Sequence, residues 1–179
     1  GFAAYEDVSA NVAYIADGGP LNKWSGTTLT LNIANTPDVR VLCVQNDRLW
    51  GISGVDNVLA GSALGNGDTL GVSASDGGQF AINTFGGMAI VGLAALGSSL
   101  LLFHRSAISR FTGWTADDFN VATGTRGIAS DVGTVCARSI IVVDGAAGAA
   151  GECFFLSDRG IYAATEAGAT LQSSQIRPL

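Results

Sequence analysis

Val39–Gly54 reads VRVLCVQNDRLWGISG. An apolar run meets a short polar turn at Gln45-Asn46-Asp47-Arg48, and the pair Leu49-Trp50 then leads a second apolar run. Two such runs around a tight turn predict a β-hairpin. The outline recurs at Leu100–Gly113, LLLFHRSAISRFTG, and at Glu152–Thr165, ECFFLSDRGIYAAT. The leading pairs there are Arg110-Phe111, an imperfect one, and Ile161-Tyr162. Trp50, Phe111 and Tyr162 therefore lie 61 and then 51 residues apart. Asn11–Gly26, NVAYIADGGPLNKWSG, reads as a fourth, degenerate copy with Trp24.

A hairpin that is apolar on both faces cannot bury them alone. Radial repetition of such units can, and a repeat of about 50 residues with four short strands per unit is the pattern of propeller blades. The expectation is an all-β fold, a β-propeller-like array of short antiparallel blades forming a single domain over residues 1–179. A sandwich or open barrel is the alternative, because any hairpin-rich chain shows pseudo-repeats. At about 45–50 residues per blade the chain holds three to four blades, and propellers typically close with at least four. The expected ring is thus incomplete, to be finished by neighbours or by further sequence.

Other strand-like runs bounded by Gly, Asp, Asn or Ser are Thr27–Ile33, Val58–Leu64, Phe80–Asn83, Met88–Ala95, Arg138–Val143 and Thr170–Ser173. In Thr27–Ile33, alternation puts Leu29, Leu31 and Ile33 on one face. No window carries a capped helical period. Asp117-Asp118 opens at most one helical turn.

The 179 residues include 25 glycines and 3 prolines, with only 13% charged residues and a mean hydropathy of +0.36. That excludes a disordered tail. Net charge is −6, and the nine basic residues are eight arginines and Lys23. Such a chain lacks the basic footprint of a sequence-specific nucleic-acid binder. Its first residue is Gly1 rather than Met, which reads as processing or as a piece of a longer chain, and no signal-peptide pattern opens it. The most apolar stretch, Met88–Phe103, is broken by Gly92, Gly97, Ser98 and Ser99. A spanning helix needs about 20 consecutive apolar residues, and this stretch is both shorter and interrupted. Two buried strands are expected there, and no membrane span.

Chemistry is sparse. His104 is the one histidine, and neither a G-x-S-x-G elbow nor a C-x-x-C accompanies it. Cys43, Cys136 and Cys153 read as small buried thiols rather than a disulfide framework. Zinc spacing is absent, and Asp144–Glu152, DGAAGAAGE, lacks the ligands of a calcium loop, as does the Ser73–Gly78 turn cluster. Gly65–Gly71, GNGDTLG, misses the G-x-G-x-x-G spacing and reads as a turn between a blade's outer strands. Asp117, Asp118, Asp131 and Asp158 are scattered acids with no spacing that pairs them for glycoside hydrolysis. Trp24, Trp50, Trp114, Phe111 and Tyr162 read as packing anchors, or alternatively as a sugar-binding surface. No catalytic, cofactor-binding or metal-binding residue is assigned, and no cofactor is expected.

Met88–Gly113 contains an "I-G-L"-like strand at Ile90–Leu93, an "L-L-V-F"-like strand at Leu100–Phe103, and "I-x-x-F-x-x-T-G" at Ile108–Gly113. A Gly-rich "G-I-x-x-x-x-G-T" stretch follows at Gly127–Thr134, then the Arg138 strand and an "F-L-S-x-x-G-I-Y" hairpin at Phe155–Tyr162. With the "N-D-R-L-W" turn at Asn46–Trp50, this pattern resembles the β-propeller of bacteriophage tail proteins of the tail-nozzle or DNA-stabilising class, from about Val39 to Leu179. The family's chains usually run longer and close a fuller propeller.

The resemblance implies no catalysis. It implies a structural virion protein, made in the bacterial host cytoplasm and located in the tail. Its copies would form a ring, commonly sixfold, around the DNA exit channel. There it would retain packaged DNA, pass it without sequence-specific contacts, and meet adaptor, connector or tail-fibre proteins. An acidic, Lys-poor wall would suit that channel, since it repels the DNA backbone. The alternative function is a carbohydrate-binding or receptor-binding β module of a phage tail.

Overall fold

The computed structural model describes residues 2–7, 10–55, 57–72, 77–112, 125–145 and 151–173, with the side chains of residues 2–11 left aside. Among the described residues, sixteen short strands form four sheets, each an antiparallel meander of four in chain order. The first blade is β1 (Phe2–Asp7), β2 (Ala10–Ile15), β3 (Asn22–Trp24) and β4 (Leu29–Thr30). The second is β5 (Val39–Gln45), β6 (Arg48–Ser53), β7 (Val58–Gly61) and β8 (Gly78–Ala81). The third is β9 (Ile90–Leu96), β10 (Ser99–His104), β11 (Ile108–Phe111) and β12 (Thr125–Ala129). The fourth is β13 (Ile141–Val143), β14 (Glu152–Ser157), β15 (Gly160–Thr165) and β16 (Gly168–Leu171). The architecture is all-β and propeller-like, built of open sheets and no closed barrel.

Turn chemistry sets the registers. Asn46 and Asp47 both take positive φ, 53° and 52°, between β5 and β6. That is the two-residue hairpin turn whose twist matches paired strands, and Asn and Asp tolerate it best after glycine. Gly97 does the same job between β9 and β10 at φ 55°.

The first strand of each blade packs on the first strand of the next, β1 on β5, β5 on β9 and β9 on β13, so these are the inner strands. Stacking then makes three apolar layers. Val12, Tyr14 and Leu21 of the first blade meet Val39, Leu49 and Leu70 of the second. Trp50, Ile52 and Leu59 meet Leu93, Leu102 and Phe111. Leu101, Phe103 and Ile108 meet Cys153, Phe155 and Ala164. A blade covered on both sides must be apolar on both faces, and β6 and β10 are buried at every position. In the end blade β13 is exposed at every position.

Several elements differ from expectation. Thr27–Ile33 holds only the two-residue β4, because Asn32 turns the chain at φ 52° and leaves Leu31 exposed. Arg138 lies in a 3₁₀ turn (Ala137–Ser139), and its strand starts at Ile141. Strands β1 and β12 carry too little apolar alternation to stand out in the sequence. The hairpin repeat also shifts phase. Val39–Gly54 forms the first and second strands of its blade, whereas the three other copies form second and third strands. The true period shows in the inner strands, which begin at Val39, Ile90 and Ile141, at equal intervals along the chain. Asp117, Asp118, Trp114 and Ser73–Asp76 lie outside the described residues. Among those described, no helix is long and apolar enough to cross a membrane.

Candidate functional site

His104 ends β10 and is fully buried. Its Nδ1 lies 2.9 Å from the Met88 carbonyl and 3.2 Å from that of Ala89, and its Nε2 lies 3.1 Å from Ser109 Oγ. Burial pushes its pKa down, against the pull of the two carbonyls. The two carbonyls can only accept, so Nδ1 is the donor toward them, and Nε2 meets the Ser109 hydroxyl. His104 staples the start of β9 to the end of β10 and edges onto the Phe85 ring.

The thiols divide. Burial raises Cys43 to about 11. Burial, with Cys43 nearby, raises Cys153 to about 12. Cys136 is exposed, unlike the buried thiol expected of it. All three are free, and among the described residues no three His, Cys, Asp or Glu side chains gather as a metal site would require.

The two Gly-rich motifs are clasps between and within blades. Gly65–Gly71 runs between β7 and β8, where Asn66 Oδ1 caps a 3₁₀ turn by accepting from the Asp68 amide at 3.2 Å. Asp68 accepts from Tyr14 Oη at 2.7 Å and pairs with Lys23 Nζ at 2.9 Å, tying the first blade to the second. Gly67 is required because a Cβ there would sit 2.5 Å from the Tyr14 ring. In Gly127–Thr134, the Thr134 amide donates to the His104 carbonyl at 2.9 Å, and Thr134 Oγ1 donates to the Leu156 carbonyl of the fourth blade at 2.9 Å. Gly133 is pressed so close that a Cβ would lie 2.1 Å from the His104 oxygen.

Between the third and fourth blades lies a cavity of about 530 Å³ lined by Arg110, Arg126, Gly127, Ile128, Glu166 and Ala167. Arg110 and Arg126 are direct cross-strand partners and share its wall. Arg110 Nη1 donates to the Glu166 carbonyl at 3.3 Å. Asp131 reaches the same seam through an exposed contact with Arg159 at 3.8 Å. Asp158 accepts from Ser157 Oγ at 3.0 Å instead.

The first strands of the blades contain few charged residues. Strands β5, β9 and β13 contain Arg40 as their one charged residue, and only β1, with Glu6 and Asp7, contains carboxylates.

The aromatics also divide. Trp50 and Phe111 are buried and meet edge-to-face at 5.2 Å, and Tyr162 stacks on Phe155 at 5.8 Å. Trp24 is 41% exposed, beside Leu29 on the outward face of the first blade. The outward face of the fourth blade presents Ile141, Val143, Leu156 and Ile161. These two end faces are the feature that sequence reasoning missed; only an assignment of which face meets which neighbour could have found them. The chain matches no known family model and no curated protein.

Proposed function

We propose that the chain is a non-enzymatic structural subunit of a phage virion, part of a tail nozzle or hub that rings the DNA exit channel. The observation that carries this reading is the open blade array, in which both end faces keep apolar surface that neighbours would cover. The sequence pattern at Ile90–Gly113, Gly127–Thr134 and Phe155–Tyr162, with its likeness to tail-nozzle propellers, supplies the virion context. Inner strands with a single arginine give the DNA backbone few cations to grip. Packaged DNA would be retained by the closed ring and would slide through it on ejection. Adaptor, connector and tail-fibre proteins are the expected neighbours.

The test is an immunoblot across density-gradient fractions of the source lysate. The signal is expected with dense, DNA-filled particles. A signal confined to soluble fractions overturns the tail-ring reading. The exposed Trp24 favours a carbohydrate- or receptor-binding tail module as the second reading, and that result would promote it.

A further inference from the structure

We infer that two copies of this chain join head to tail, the outward face of the fourth blade of one covering the outward face of the first blade of the next. The inference deepens the ring reading above by naming the contact that would propagate the ring.

The fourth-blade face follows from register. Cys153, Phe155 and Ala164 pack toward the third blade. Phe154 and Leu156 alternate with them along β14 and point the other way, joined by their cross-strand partners Ile141 and Ile161. Ile141 is 61% exposed and Leu156 45%. In the first blade, Tyr14 faces the second blade, so its cross-strand partner Lys23 does too, reaching Asp68. Trp24 alternates outward, with Ala13 and Leu29 as its cross-strand partners, and Leu29 is 49% exposed.

The occupant is specified by the three seams already inside the chain. At each, the forward face of one blade packs on the backward face of the next. Among the described residues, the fourth blade keeps Ile141, Leu156 and Ile161 exposed on its forward face, and the first keeps Trp24 and Leu29 exposed on its backward face. A second copy continues the same interface without a new kind of contact. Because the two surfaces differ, the contact is heterologous, and it either closes a ring or extends.

Sedimentation equilibrium at tens of micromolar tests this, with one double variant per face: Ile141→Lys with Leu156→Lys, and Trp24→Lys with Leu29→Lys. The wild type is expected at two or more times 18.1 kDa. Each variant alone is expected as a monomer, its association weakened about a hundredfold or more by a charge in the seam. Mixing the two leaves one good face on each chain and is expected to restore a dimer that stops there. A monomeric wild type, self-association by either variant alone, or a mixture that stays monomeric overturns the inference. All four positions are exposed, and Val143→Lys with Ile161→Lys is a second fourth-face variant should the first unfold. The assay uses no particles: self-association with no particle signal sinks the virion reading alone, and the reverse result sinks this contact alone.

Discussion

Cys43, Cys136 and Cys153 are chemically unequal although the sequence presents three similar thiols. Cys153 faces the seam between the third and fourth blades, and Cys43 lies against the strand that contains Ala95. With a pKa near 11, about one Cys43 in a thousand is thiolate at about pH 8, and Cys153 is less ionised still. Cys136 stands in water. A disulfide-exchange reagent at about pH 8 is therefore expected to label Cys136 alone in the native protein, and all three after unfolding. Prompt native labelling of Cys43 or Cys153 would contradict the burial of the seams. His104 is chemically placed by its contacts as well. Its Nδ1 is committed to main-chain carbonyls and its Nε2 to Ser109, so its role is to hold β9 to β10.

At the scale of elements, glycines at close approaches join the blade parts more than any ion pair does. Gly133 lets the segment after β12 lie on the β10–β11 connection, and the atoms it crowds are all main chain: His104 O at 2.1 Å, Ala107 N at 2.7 Å and Ala107 O at 2.9 Å. Main chain cannot rotate aside as a side chain can. Gly133→Ala is expected to cost about 3 kcal/mol or more in urea unfolding. Gly26→Ala, where φ is +92° and nothing lies within 4 Å of the new Cβ, is expected to cost about 1 kcal/mol from backbone strain alone. Equal costs at the two sites would remove Gly133 from its role as a clasp. The Lys23–Asp68 pair stays partly solvated and contributes less, since water screens it.

Across the whole molecule, the described residues of four blades share three apolar layers, one fewer than a closed ring of four would have. The second strands of the inner blades, β6 and β10, reach full burial because each of those blades has two neighbours. The end blades reach it on one side only. Covering apolar surface returns roughly 25 cal/mol per Å², so association through the end faces would be driven by exclusion of water rather than by charge. The association constant is accordingly expected to hold or rise between about 0.05 and 0.5 M NaCl. A fall of tenfold or more across that range would point instead to an ionic contact, such as one through the Arg110–Arg126 wall.

Sequence alone determined the all-β class, the hairpins and their recurrence along the chain, because alternation and turn residues such as Asn46-Asp47 and Gly97 act over a few positions. It also marked Gly65–Gly71 as a turn between outer strands. Blade phase needed the tertiary structure. Trp50 sits in a second strand, and Phe111, Tyr162 and Trp24 in third strands, so aromatics that look equivalent in sequence occupy different places in their blades. The faces were decided there as well. Leu49 and Leu156 are both leucines in β-strands, one wholly buried and the other 45% exposed, and the difference is whether another blade stands in front of them. That depends on contacts between residues of successive blades, far apart in the chain, which no local pattern encodes.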